Sequence, residues 1–211
     1  MSYYTDISYK VINYKHLDYY TKYVRYFKNC NKILDIGCSV GNFLFYCKLD
    51  GKEAVGLDID KEAIAICKAR GLKAININAD AKLPFAKDSF DAINCWALIE
   101  HLTHERRDGL LKEIRRVLKP NGKLVITVPL AGSPLFWNDY THKWGYTEKS
   151  LKMMAYDFNF KNIKINAICP VYVPGTNRAV QRFPFLLKFY LLFEKVFSLL
   201  PAQELTLICE K

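Results

Sequence analysis

The sequence predicts a single α/β domain built on a doubly wound, mostly parallel sheet of seven strands with helices on both faces. Apolar runs rich in β-branched residues recur along residues 33–128, as in strands that are buried on both sides. Segments with helical signals separate these runs, which is the order of a parallel sheet with right-handed crossovers. The 211 residues are also enough to build one sizeable core, so one domain over 1–211 is expected.

Five of the predicted strands lie in the first two thirds of the chain and two lie near its end. In chain order they are KILDIG, AVGLDI, KAINI, DAINCWA, KLVITV, NIKINAICPVY and ELTLICE. Ligands of parallel sheets bind at the carboxyl ends of the strands. The loops expected to line a site therefore follow Ile36, Ile59, Asn78, Trp96 and Val128.

Capping residues mark the predicted helices. Asp60 is a good N-cap for a helix over residues 61–70. A second helix, over residues 105–118, is amphipathic, and Pro120-Asn121-Gly122 is expected to end it. Thr147 opens a third helix. The tyrosine-rich residues 1–31 predict a helical cap before the first strand.

The composition indicates what kind of partner the protein binds and in which compartment it is expected. The net charge of +10 favours a negatively charged partner, or serves solubility alone. The seven cysteines are scattered, odd in number and never spaced as C-x-x-C, so we interpret them as reduced core residues of a cytoplasmic protein. The first residues contain no apolar stretch of a signal peptide.

A glycine loop follows the first strand in the stretch ILDIGCSVGNF. Gly37 and Gly41 match neither the G-x-G-x-x-G fingerprint of dinucleotide sites nor the phosphate-binding P-loop. The loop still opens a helix, whose N-terminus attracts negative charge such as a carboxylate. Asp35, just before the loop, could accept a hydrogen bond from an ammonium group. A ligand with both groups is an amino acid.

Two further acids extend this ligand. Asp58 ends the stretch GLDID about twenty residues after the glycine loop, where a carboxylate holds ribose hydroxyls. Asp80, in NADAKLPF, could accept a hydrogen bond from an adenine amine. An amino acid, a ribose and an adenine together describe S-adenosylmethionine (SAM).

Five motifs in register resemble those of class I SAM-dependent methyltransferases. They are ILDIGCSVGNF, GLDID, NADAKLPFAKDSFDAI, ALIEHL and LKEIRRVLKPNGKLVITVP. More narrowly, they are similar to the small-molecule branch that methylates quinones, sugars and lipid-linked glycans. The resemblance covers about residues 30 to 130 strongly and implies a Rossmann-like fold. It departs from the family at Ser39, where a third glycine is usual.

The resemblance implies SAM as the cofactor, S-adenosylhomocysteine as the product, and a role for each matching residue. The loop after the first strand would cradle the methionine moiety with Asp35, Gly37, Cys38, Ser39 and Gly41. At the second strand, Asp58 would hold the ribose and Ile59 would pack on the adenine face. The adenine edge would be recognised by Asp80 and Ala81, and the methionine chain would be lined by Trp96 and Ala97.

The acceptor needs a general base only if it must lose a proton, as a hydroxyl does. His101, after Glu100 in ALIEHL, and His142, in WNDYTHKWGY, are the candidate catalytic residues; the alternative for each is a structural hydrogen bond. His104 is expected to be exposed at a helix start. No metal site is predicted, because the adjacent Glu100 and His101 cannot easily face one ion and no third ligand is apparent.

Two segments have open roles. The aromatic loop 130–147 could form a pocket wall or a lid. The apolar insertion 178–200 precedes the last strand, and its residues 183–200 predict either a peripheral membrane contact or a lid or homodimer interface.

The sequence therefore predicts transfer of a methyl group from SAM to a small molecule, with a hydroxyl of a sugar, lipid-linked glycan or quinone-type ring as the expected acceptor. The alternatives are a non-catalytic SAM-binding scaffold and a protein or RNA methyltransferase, which only the charge supports. No nucleic acid is expected as partner. The fourth strand runs into Asn94-Cys95-Trp96-Ala97, which lacks the Asn/Asp-Pro-Pro-aromatic loop that holds a flipped base.

Overall fold

The computed structural model describes residues 25–78, 82–168 and 202–211. These residues form a seven-stranded sheet whose strands are β1 Lys32–Ile36, β2 Glu53–Asp58, β3 Ala74–Asn76, β4 Phe90–Trp96, β5 Leu118–Pro129, β6 Lys161–Ile168 and β7 Glu204–Glu210. Their spatial order is β3-β2-β1-β4-β5-β7-β6. Strands β1 to β5 run parallel, whereas β7 runs antiparallel to both β5 and β6. The prediction of a mostly parallel, seven-stranded sheet is confirmed.

In these described ranges, five α-helices connect or follow the strands. They are α1 Asn42–Leu49, α2 Lys61–Ala69, α3 His104–Val117, α4 Pro134–Trp137 and α5 Glu148–Asp157. Two 3-10 turns, Arg25–Phe27 and Ile99–His101, precede β1 and follow β4.

Two helix starts confirm the capping residues predicted from sequence. The Asp60 carboxylate accepts hydrogen bonds from the backbone N–H groups of Glu62 (2.8 Å) and Ala63 (3.3 Å) at the start of α2. Thr147 and Ser150 cap each other reciprocally at the start of α5. Each cap satisfies backbone donors that a helix leaves unpaired, which is worth about 1 kcal/mol.

The alternating side chains of the central strands place helices on both faces of the sheet. Leu34 belongs to the large core cluster that includes Leu110 of α3 and Leu151 of α5. Its neighbour Ile33 points to the other face and packs in a cluster with Phe43 of α1. Because successive side chains of a strand point to opposite faces, one strand serves two cores.

The end of α3 differs from the prediction. The helix ends at Val117, and Leu118 already pairs with Phe90 of β4, so Pro120-Asn121-Gly122 lies within β5. The ladder between β4 and β5 is irregular between Phe90 and Ala92, where Asn121 adopts a left-handed φ of 59°. This irregularity accommodates the turn-forming residues without ending the strand.

Several predicted features lie outside the described residues. These are most of the N-terminal helical cap, the apolar insertion 178–200, and the site residues Asp80 and Ala81. Within the described ranges, no helix has the length and apolar character needed to cross a bilayer.

Candidate cofactor and acceptor site

The glycine loop bends sharply between β1 and α1. Gly37, Ser39 and Gly41 all have left-handed backbone conformations, with φ values of 80°, 47° and 77°. Glycine adopts this region without steric cost, which explains two of the three residues. The N–H groups of Gly37 and Cys38 donate to the Leu57 carbonyl at 2.8 and 3.0 Å, which ties the loop to the end of β2. Because no side chain of the described residues caps α1, its N-terminus can accept an anionic group.

Asp58 links this loop to the end of β2. One carboxylate oxygen accepts a hydrogen bond from Ser39 N (2.8 Å), and the other accepts from Asp60 N (2.9 Å). A carboxylate can accept about four hydrogen bonds, so capacity remains for a ligand's hydroxyls. The side chain of Ile59, the next residue, is 67% exposed beside it. The structure thus brings together the loop, Asp58 and Ile59, as the sequence predicts.

Asp35 lies buried below the loop, and no cationic side chain among the described residues pairs with it. Its carboxylate accepts a hydrogen bond from Asn94 Nδ2 at 2.7 Å, across the register that pairs β1 with β4. Burial raises the pKa of Asp35 to about 7, although the hydrogen bond from Asn94 acts to lower it. The negative charge of Asp58 also contributes to the raised pKa. Asn94 was not singled out as a partner from sequence, because only the strand register reveals the pair.

The end of β4 faces the glycine loop. Trp96 is half-buried, and the exposed Ala97 turns the chain with a φ of 50° while its N–H donates to Thr127 O. Leu98 follows, and its side chain would lie 3.6 Å from a Cβ atom added to Gly37. The turn that begins at Leu98 therefore adjoins the loop expected to hold the methionine moiety.

Glu100, His101 and His142 converge just beyond this turn. Each offers one ligand or proton-accepting atom, and these three atoms lie within 4.8 Å of one another. The centroids of the two imidazole rings are 4.7 Å apart, and His142 Nε2 is 4.0 Å from Glu100 Oε1. The sequence shows no third ligand beside Glu100 and His101. In the structure the loop after α4 folds so that His142 lies beside these two residues.

The hydrogen bonds of the two histidines fix their orientation. His142 Nδ1 lies 2.7 Å from the Phe136 carbonyl oxygen, and the Phe136 ring stacks on the imidazole. His101 Nδ1 lies 2.9 Å from Thr141 Oγ1, whose hydroxyl donates to Asp139 Oδ1 at 2.6 Å. Both rings are thus held through Nδ1, as positioned acid–base or metal-binding histidines are.

Burial dominates the electrostatics of this cluster. Glu100 is completely buried, and within the described part of the chain neither carboxylate oxygen has a hydrogen-bond partner. Burial raises the pKa of Glu100 to about 8, and the charges of Glu204 and Asp139 add to the effect. Burial also lowers the pKa of His101, with the neighbouring His142 contributing. A buried carboxylate left unpaired is costly, which makes Glu100 a candidate site residue.

The aromatic loop contributes exposed rings near this cluster. Trp137 and Tyr140 are 73% and 97% exposed, and Trp144 stacks on His104 with centroids 3.9 Å apart. His104 is exposed at the start of α3, as predicted.

Residues 34–126, which contain the glycine loop, Asp58 and the Glu100–His101 pair, match the family described as methyltransferase domain. This stretch is therefore similar to a methyltransferase domain, and it makes up less than half of the chain. Its fold also matches the crystal structure of a SAM-dependent methyltransferase from Archaeoglobus fulgidus, with a TM-score of 0.75, 26% identity and coverage of 100% of both chains. The fold and this match support a SAM-dependent methyltransferase with SAM as its cofactor.

Curated relatives of the methyltransferase domain have different acceptors in their names. A probable tRNA methyltransferase 9B of Homo sapiens is 38% identical over 46% of this chain and 21% of its own length. Methyltransferase GfsG of Streptomyces halstedii is 31% identical over 46% of this chain and 37% of its own length. The chain thus spans well under half the length of these two relatives, and both matches cover less than half of it.

Proposed function

We propose that this protein transfers the methyl group of SAM to a small-molecule hydroxyl, such as one on a sugar, a lipid-linked glycan or a quinone-type ring. One observation carries the proposal: the turn that begins at Leu98 lies against the glycine loop and presents Glu100 and His101, with His142, at the same edge of the sheet. Cofactor-binding and proton-accepting groups are thus neighbours. This arrangement favours catalysis over a scaffold that only binds SAM.

The residues at the ends of β1 and β2 fit the three parts of SAM. The open N-terminus of α1 suits the methionine carboxylate, and the buried Asp35 suits the ammonium, whose positive charge would offset the cost of ionising that acid. Asp58 has acceptor capacity for the ribose hydroxyls, and the exposed Ile59 offers an apolar surface to adenine. We assign the adenine edge to Asp80 and Ala81, and the methionine chain to Trp96 and Ala97. Bound SAM supplies an electrophilic methyl group on a sulfonium.

His101 and His142 would serve the acceptor. With Nδ1 bonded to Thr141 and Phe136 respectively, each ring can present Nε2 as a proton acceptor. The lowered pKa of His101 keeps that ring neutral near pH 7, which is the form a general base requires. The rest of the acceleration comes from holding the acceptor oxygen in line with the methyl carbon.

Labelled SAM tests this proposal against pooled sugars, lipid-linked glycans and quinone-type compounds. Once an acceptor is found, His101→Ala and His142→Ala are compared with His104→Ala, which removes an exposed histidine outside the cluster. Loss of the base should lower turnover by ~10²–10⁴ while leaving SAM affinity unchanged. Full activity of both cluster variants would refute the roles assigned to these histidines.

A tRNA acceptor is the second candidate. The net charge of +10 and the probable tRNA methyltransferase among the relatives favour it. The two candidates separate in one assay, in which labelled SAM is offered with either total tRNA or the small-molecule pool. If the parent protein labels tRNA and Asp58→Ala does not, the acceptor is tRNA and the small-molecule proposal is refuted.

A further inference from the structure

The cluster of Glu100, His101 and His142 (the Glu–His–His cluster) has a donor set that general-base catalysis alone does not explain. A base needs one imidazole, yet here two imidazoles and a carboxylate place one donor atom each within 4.8 Å of one another. The carboxylate is completely buried, and neither of its oxygens has a hydrogen-bond partner among the residues that the structure describes. The ionised form of such a group is costly unless a positive partner lies beside it.

His142 cannot be that partner through a direct hydrogen bond. Its Nε2 is 4.0 Å from Glu100 Oε1 and 4.0 Å from Asp139 Oδ2, both beyond hydrogen-bond distance. Its Nδ1 lies 2.7 Å from the carbonyl oxygen of Phe136, which can only accept, so Nδ1 carries the proton. In the neutral ring, Nε2 then carries a lone pair, 4.0 Å from an oxygen of each acid.

His101 is prepared in the same way. The Thr141 hydroxyl gives its proton to Asp139 Oδ1, so the 2.9 Å contact between Thr141 Oγ1 and His101 Nδ1 is donated by the imidazole. Its Nε2 therefore also has a free lone pair. Metal-binding histidines typically donate the other ring N–H to a carbonyl or, directly or through a hydroxyl, to a carboxylate, which fixes the ring and raises its basicity.

We propose that the Glu–His–His cluster binds a divalent transition-metal ion of the zinc class, with Glu100, His101 and His142 as its three protein ligands. Two imidazoles and one carboxylate suit Zn²⁺, Co²⁺ or Mn²⁺, whereas Mg²⁺ and Ca²⁺ prefer oxygen ligands. Ligand atoms that share a tetrahedral ion at about 2.1 Å lie about 3.4 Å apart, so the 4.0 Å between His142 Nε2 and Glu100 Oε1 closes with small side-chain rotations.

This inference rests on the proposed function for its role in the reaction. Three protein ligands leave a coordination position open, as in catalytic zinc sites, and the acceptor hydroxyl is the group that would occupy it. Coordination lowers the pKa of a bound hydroxyl as it does that of bound water, so the proton leaves to solvent. The oxygen would then form a bond to the methyl carbon while the C–S bond breaks, and the electron pair of that bond would stay on sulfur.

Metal binding is measured directly, without turnover. The full chain is stripped with a chelator and titrated by calorimetry with Zn²⁺ and Mn²⁺, and the visible absorption of Co²⁺ reports the ligand set. We expect one equivalent to bind, with at least a ~100-fold loss of affinity in Glu100→Gln and His142→Ala, whereas His104→Ala binds as the parent does. Glu100→Gln keeps the size and shape of the buried side chain, so it should fold, and circular dichroism checks that it does.

SAM titration of the same samples separates this inference from the proposed function. Unchanged SAM affinity in Glu100→Gln, together with lost metal binding, supports a metal site that is distinct from the cofactor site. No binding of any of the three ions by the parent protein, or equal binding by Glu100→Gln, overturns the metal site. In that case methyl transfer with His101 or His142 as a direct base still stands or falls by the labelled-SAM assay.

Discussion

Replacing Asp58 by alanine should weaken SAM binding by roughly 1.5–3 kcal/mol, the worth of hydrogen bonds to a charged group. This corresponds to about a 10- to 150-fold rise in Kd, measured by calorimetry. The structure adds a complication, because Asp58 also accepts hydrogen bonds from the backbone of Ser39 and Asp60. Part of the loss could therefore come from a loosened glycine loop.

Two controls separate these contributions. Asp60→Ala removes a neighbouring carboxylate that only caps α2, so it should cost about 1 kcal/mol of stability and leave the Kd for SAM unchanged. A SAM analogue that lacks the ribose hydroxyls should bind the parent protein weakly. Asp58→Ala should raise the Kd for this analogue only slightly, because the interaction that the substitution removes is already absent, as in a double-mutant cycle. Equal losses with SAM and with the analogue, or an unchanged Kd for SAM, would refute the ribose assignment.

Three further predictions concern the same edge of the sheet. Ile59→Ala removes three carbons from a side chain that is 67% exposed, so it should weaken SAM binding by about 2 kcal/mol without lowering stability, and a Kd like the parent's would contradict adenine packing. In Gly56→Ala the new Cβ would lie 2.5 Å from Cys38 Sγ, so urea unfolding should show a free energy of unfolding that is lower by about 1–3 kcal/mol. The control Gly109→Ala meets open space within α3, so its free energy of unfolding should rise by about 0.5–1 kcal/mol. Asp35 has a folded pKa of about 7, above the usual 3.8, so the folded state binds its proton more tightly than the unfolded state does. The free energy of unfolding without cofactor should therefore fall by up to about 4 kcal/mol as pH rises from about 4 to 7. Asp35→Asn should abolish that decline, and parallel pH curves for the two proteins would contradict the assignment.

The sequence predicts the strands and the cofactor side of the site well, because those signals are local. A buried strand is an apolar run, a cap such as Asp60 precedes its helix directly, and ELTLICE coincides with β7. The glycine loop follows β1 and Asp58 ends β2, and these two strands pair in parallel, so the proximity of loop and acid is a consequence of sheet topology.

The acceptor side was harder to predict, because its contacts are long-range. Nothing local indicates that His142 reaches the Glu100–His101 turn or that Asn94 pairs with Asp35 across two strands. The one usable signal was Glu100 itself, an acid within the apolar run ALIEHL, where an unpaired buried carboxylate needs a reason. Pro120-Asn121-Gly122 shows the opposite case. Its local signal predicts a turn that ends the helix, but strand pairing within the sheet overrides that signal.

A crystal structure with S-adenosylhomocysteine tests the central claim most directly. We predict the product at the carboxyl ends of β1, β2 and β4, with its ribose hydroxyls on Asp58, its adenine on Ile59 and its sulfur facing the Glu–His–His cluster. A ligand bound at another edge of the sheet, or in the same place with its sulfur directed away from His101 and His142, would contradict the account.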